Sequence, residues 1–136
     1  MMSNGTSKEI TGKRLKPDGR KLTGEIGEAA AFHYLTETGY TVIERNWRCR
    51  MGELDLIASR DGLLIFIEVR TRRAGGRFGT AAESVDRRKQ QKLAVLAQFY
   101  MRQHAVTDQP VRFDVITVTL DHGNEVLELK QIEAAF

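Results

Sequence analysis

The sequence predicts an α/β domain, a mixed central sheet flanked by helices, with elements in the order α-β-β-β-α-β-β. Three observations carry this. Residues 40–50, 53–59 and 63–70 are β-rich runs separated by the turn dipeptides Met51-Gly52 and Asp61-Gly62. Residues 86–103 place Leu93, Leu96, Ala97 and Tyr100 on one apolar helical face. Strand patterns on both sides of that helix make it a crossover, which by rule is right-handed and sets the fourth strand parallel to the third.

Taken in order, residues 1–22 have little hydrophobic pattern and several Gly, Ser and Lys, the composition of a disordered basic tail. The domain is expected over 23–136. A helix is expected over 24–38, with Thr23 as N-cap, Glu25 and Glu28 in the dipole-favoured first turns, and Gly39 as the stop. The three β-runs follow. "TRRAGGRFGT" (71–80) reads as a Gly/Arg-rich loop before the long helix. Pro110 closes the next connection, 111–120 is a strand, Asp121 to Asn124 a turn, and 125–132 a last strand.

With 136 residues, 41% hydrophobic and 29% charged, the chain suits one domain with a real core. No apolar run approaches the ~20 residues of a membrane span, and the N-terminus lacks a secretory apolar region. The cytoplasm is the expected location, with no membrane partner. Cys49 is the only cysteine, which excludes an internal disulfide and a thiolate zinc cluster. His33, His104 and His122 are scattered without ligand spacing. Ser84 has no evident base, and Gly75, Gly76 and Gly79 lack the Lys-Ser/Thr ending of a phosphate-binding loop.

Net charge is only +3, and its distribution says more. Arg70, Arg72, Arg73, Arg77, Arg87, Arg88, Lys89 and Lys92 face only Glu83 and Asp86 within residues 70–92. A second basic group, Arg45, Arg48 and Arg50, surrounds Trp47. Basic patches with an interleaved aromatic suit a polyanion such as nucleic acid, while the bland reading is a solvated face.

Asp55 and Glu68 sit in runs that otherwise look buried. If Asp61-Gly62 is a two-residue hairpin loop, paired positions put Asp55 opposite Glu68 and Glu53 opposite Arg70. All four then share one face, and Leu54, Leu56, Ile65, Ile67 and Val69 take the other. Opposed like charges repel, so the pair needs a shared proton, a neighbouring Arg, or a divalent cation. Glu28 lies on the stripe of Ala31 and Leu35 and would add a third carboxylate; the bland reading is a first-turn Glu on the dipole.

The motifs "GEIGEAAAFHYLTETGYTVIERNWR", "GELDLIA", "LIFIEVRTR", "VDRRKQQKLAVLAQFYM" and "RFDVITV" together resemble the YraN-like uncharacterised protein family over residues 24 to 136. That family is similar to the PD-(D/E)xK nucleases, with the restriction-endonuclease-like fold of archaeal Holliday-junction resolvases. The resemblance implies an αβββαβ core and a Mg²⁺ or Mn²⁺ site. It matches Glu28 to the first-helix acid, Asp55 to the second-strand aspartate, Glu68-Val69-Arg70 to the E-x-K element, and Lys89 to the basic position opening the next helix. Arg70 stands where the superfamily usually has Lys, and Lys89 or Lys92 is a candidate to compensate.

The function so implied is metal-dependent hydrolysis of phosphodiester bonds in DNA, branched or repair intermediates being the expected substrates. Asp55, Glu68 and the Val69 carbonyl would hold the metal. Glu28 would support it, Arg70 would stabilise phosphate charge, and Arg72, Arg73, Arg77, Arg87, Lys89, Lys92, Trp47 and Arg48 would grip nucleic acid. The rivals are a binding module without turnover and an interaction subunit of a repair assembly. Resolvase-like relatives also suggest a homodimer, with the edge near Val126 and Leu127 as the surface to inspect.

Overall fold

The computed structural model describes residues 19–76 and 85–136. Its elements are α1 (Gly19–Glu37), β1 (Thr41–Cys49), β2 (Gly52–Arg60), β3 (Leu63–Arg73), α2 (Arg87–Gln103), β4 (Val111–Leu120) and β5 (Val126–Ile132). The sheet runs β1-β2-β3-β4-β5 in chain order. Every neighbouring pair is antiparallel except β3 with β4, which is parallel. A parallel pair needs a long crossover, and α2 supplies it. The order is therefore αβββαβ with one further strand, as the sequence predicts.

The helices cover opposite faces of the sheet. Ala31 and Leu35 of α1 pack on Leu56, Ala58, Ile65, Ile67, Val69, Ile116, Val118 and Leu120. Leu93, Leu96, Ala97 and Tyr100 of α2 pack on Leu54, Ile57, Leu64, Phe66 and Val115. The central strands read as nearly continuous apolar runs because both of their faces are covered. Among the described residues, no helix is long and apolar enough to cross a membrane.

Two boundaries differ from expectation. Helix α1 begins at Gly19, so Thr23 is inside it and is not the cap; its Oγ1 donates to the Gly19 carbonyl at 2.7 Å. Arg20, Lys21 and Leu22 are good helix formers, which lets the helix extend into a segment without an apolar stripe. Strand β3 also outlasts its apolar run, because Thr71, Arg72 and Arg73 stay paired with Val118, Thr119 and Leu120 of β4. The tail expected over 1–22 is corrected at residues 19–22, which are helical; its residues 1–18 lie outside the described residues, as do the expected loop residues Arg77 and Gly79, and Ser84.

Both helices are held at defined points. Asp86 caps α2, its side chain accepting from the Lys89 N–H at 2.9 Å. At Gly27, α1 comes so close to β3 that an added Cβ would collide with Thr71 Oγ1 and lie 2.8 Å from Thr71 Cβ. That approach sets Glu28 beside the C-terminal end of β3.

Candidate functional site

The β2–β3 hairpin has the expected register, from Arg60 opposite Leu63 to Leu56 opposite Ile67. The ladder ends there. Beyond it the Val69 N–H donates to Asp55 Oδ2 at 2.9 Å, so a side chain replaces the backbone partner. Asp55 and Glu68 face each other just past the last ladder pair.

The expected division of faces is corrected at this point. Leu56 packs on the α1 side, but Leu54 packs on the α2 side. Strand β1 does the same opposite it. Asn46 has φ 54°, a left-handed conformation that breaks the alternation of a strand. On one side of it the Arg45 guanidinium lies 4.2 Å from the Phe32 ring centroid of α1. On the other, Trp47 meets Tyr100 of α2 edge-on at 5.5 Å. The cross-strand pairs Arg45–Leu56 and Trp47–Leu54 persist, so β2 changes face with β1. Glu53 consequently pairs with Arg48 at 3.2 Å and not with Arg70.

This twist gathers acids from three elements. Glu68 is buried at 6% exposure, and its Oε2 lies 3.5 Å from Arg70 Nη1 and 3.4 Å from Lys89 Nζ. The carboxyls of Asp55 and Glu68 are close enough to interact directly, and their like charges disfavour each other. Burial, then the charge of Glu68, pushes Asp55 up to about 8, against the Val69 N–H and with a smaller push from Glu28. Glu28 is also raised, first by burial and then by Glu53. Asn46 relieves it: with the amide nitrogen turned to the acids, it donates to Glu28 Oε1 at 2.9 Å and Glu53 Oε2 at 3.3 Å.

The donor set fits a hard divalent cation. Among the described residues, no group of three or more His, Cys, Asp and Glu side chains is placed to hold a metal ion together, so of the gathered acids the protein would supply a pair. Mg²⁺ commonly accepts one or two carboxylates and keeps several waters. Burial is the first cause of the Asp55 shift, and the second, the negative charge of Glu68, is what a bound cation would offset. A strand residue directs its N–H and C=O to the same side, so the Val69 carbonyl faces the Asp55 side and suits a third ligand.

The other predicted residues divide. Lys89 joins the carboxylates; Lys92 lies near Gly52, where a Cβ would come within 3.1 Å of its Cε. Arg72 and Arg73 stand at the end of β3 beside α1, and Arg87 is exposed on the first turn of α2. Trp47 is half-buried against α2, away from the carboxylates, and Arg48 is engaged by Glu53. Sequence patterns do not single out Asn46. Its one signal is its residue type, since Asn tolerates the left-handed region better than most.

A family model described as "Uncharacterised protein family UPF0102" matches residues 27–118. A UPF0102 protein of Moorella thermoacetica is 44% identical over 117 residues, 86% of this chain and 97% of that one. Another, from Pelotomaculum thermopropionicum, is 44% identical over 119 residues, 88% of this chain and 98% of the relative. A third, from Symbiobacterium thermophilum, is 50% identical over 98 residues, covering 72% and 82%. The chain belongs to this family.

Proposed function

We propose that this member of the UPF0102 family is a divalent-metal-dependent nuclease that hydrolyses phosphodiester bonds in nucleic acid, with branched or repair-type DNA as the expected substrate. One observation carries the reading. Asp55 and Glu68 are forced together at the splayed end of a rigid hairpin, with Arg70 and Lys89 beside them. Two acids held this close coexist only by sharing a proton or a cation, and a divalent ion is the one of these that gives the pair a chemical use.

A divalent ion bound by the pair would supply Lewis-acid polarisation of a phosphate oxygen and a water of lowered pKa. The chain's own residues do the rest. Asp55 and Glu68 present oxygens from a hairpin that cannot shift register without exposing its core. Glu28, set by the α1–β3 approach, holds position through Asn46 and would orient a water near the pair. Arg70 has a half-exposed guanidinium and would stabilise negative charge developing on the phosphate. Lys89 reaches Glu68 from the opposite layer and keeps a compact positive charge beside the acids, the kind of charge that the superfamily's usual lysine supplies.

A second reading draws on one observation. Glu68 Oε2 already has two cationic neighbours, as in a structural ion cluster, so the chain would bind nucleic acid without turnover. Calorimetric titration of Mn²⁺ and Mg²⁺ into wild type and Asp55→Asn, at low salt with and without branched DNA, separates the readings. The nuclease reading expects metal binding by wild type alone, tightened by DNA, followed by cleavage. Absence of metal binding in both proteins would overturn it. DNA binding that persists in EDTA would then favour the second reading.

A further inference from the structure

We propose that the cleft between the first turns of α1 and the end of β3 binds the backbone of a single nucleic-acid strand, with Arg20 and Arg72 contacting its phosphates. This rests on the nuclease reading, because it takes nucleic acid as the polymer. The cleft has a volume of about 690 Å³. Arg20, Thr23 and Gly24 form one wall and Arg70, Arg72 and Arg73 the other. Its lining includes Val69, whose N–H donates to Asp55, and Arg70, which pairs with Glu68, so the cleft lies next to the carboxylate pair. Among the described residues that line it, Glu28 is the one acid, against four arginines.

The way the arginines are held supports this. Arg73 donates to the Asp121 carbonyl at 2.9 Å and to Thr23 Oγ1 at 3.1 Å. Both acceptors are neutral, so they orient the guanidinium without cancelling its charge. Arg72 Nε donates to Thr119 Oγ1 at 3.5 Å, which ties its side chain to the neighbouring strand. Oriented positive charge along a walled cleft is the arrangement that tracks a phosphate backbone.

The size of the cleft suits one strand. It has room for a short run of one strand, and comparison with a duplex is the test of that form. No aromatic residue lines it among the described residues, so the grip is on phosphates and not on stacked bases, and sequence is not read. Arg20, Thr23 and Gly24 precede residue 27, where the family match begins.

The test is fluorescence anisotropy of the full chain with a labelled short oligothymidylate and with a hairpin duplex, in EDTA, across a salt series. Gly24→Leu adds bulk at a cleft-lining position where nothing lies within 4 Å of an added Cβ. It is expected to weaken single-strand binding several-fold with an unchanged or raised melting temperature. Arg20→Gln and Arg72→Gln are each expected to reduce the log–log salt slope by about 0.7, the value for one phosphate contact on a single strand. Arg72→Lys keeps the charge and should restore most of the slope, which a purely structural role would not predict. Wild-type-like binding by Gly24→Leu and both glutamine variants, or duplex binding as tight as single-strand binding, overturns the proposal. Mn²⁺ calorimetry on the same proteins keeps the two readings apart. Absence of metal binding in wild type, with cleft variants still losing the strand, defeats the nuclease and upholds the cleft. Metal binding without any strand binding does the reverse.

Discussion

Asp114 on β4 and Asp55 on β2 are both aspartates drawn into the sheet, and they are treated in opposite ways. Asp114 is fully buried. Its Oδ1 accepts from Arg112 Nε at 2.8 Å and the Ala134 N–H at 3.0 Å. Its Oδ2 accepts from Arg112 Nη2 at 2.8 Å and Gln131 Nε2 at 2.9 Å. Tyr40 OH closes the network by accepting from the same Arg112 and Gln131 nitrogens. Every lone-pair direction is used, and a bidentate arginine balances the charge. Asp55 accepts from the Val69 N–H and faces another acid. A saturated carboxylate ties β4 to β5 and the C-terminal segment, and through Arg112 and Gln131 to Tyr40 just before β1. An unsaturated one, held beside a second acid, retains capacity for a ligand. Burial alone distinguishes structure from chemistry poorly; the state of the carboxylate's hydrogen bonds does better.

The largest expected effect tests the saturated side. Asp114→Ala leaves the Arg112 charge without its bidentate partner and should cost about 3–5 kcal/mol in urea unfolding. A loss below about 1 kcal/mol would remove the contrast. Next comes the approach that sets Glu28. Gly27→Ala forces a methyl against Thr71 and should cost about 1–3 kcal/mol. Its metal affinity should fall as well if α1 is pushed away from the acids; unchanged metal binding would separate Glu28 from the site.

Asp55→Asn should have the opposite sign. Its carboxyl titrates near 8 in the folded chain against 3.8 for an unperturbed aspartate, so the folded state holds the proton more tightly. Stability from this group is fully present below about pH 4 and is lost as pH rises through about 8. Wild type should therefore weaken between pH 5 and pH 9 relative to Asp55→Asn, with the variant on the order of 1 kcal/mol or more ahead at the alkaline end. The same shift means that metal binding at neutral pH expels a proton. Calorimetry in buffers of different ionisation heat should show about one proton released. A variant less stable than wild type at every pH would make Asp55 structural, like Asp114.

The smallest stability effect belongs to Arg70→Lys, within about 0.5 kcal/mol because the guanidinium is half-exposed. Cleavage should rise if Arg is a weaker version of the usual Lys. Complete loss would assign Arg70 a bidentate role of its own.

Part of this site is legible in the sequence. The Asp61-Gly62 turn sets the hairpin register, and that register places Asp55 against Glu68. A two-residue turn leaves little freedom in pairing, so local chemistry suffices. The change of face at Asn46 is not legible, because a single left-handed residue leaves no mark on hydrophobic periodicity. Nor is the saturation of Asp114, whose partners at positions 40, 131 and 134 are distant in sequence.

The sequence by itself determined the order of elements, the parallel placement of β4, and the opposition of two acids across a hairpin. All three follow from periodicity and turn chemistry, which act over a few residues. Only the tertiary structure decided that Lys89 and not Lys92 meets Glu68, that Asn46 bridges Glu28 to Glu53, and that arginines of β3 line a cleft with α1. Those contacts depend on how two helices seat on opposite faces of one sheet. That seating is set by packing at points such as Gly27 against Thr71, where distant segments must fit to within ångströms.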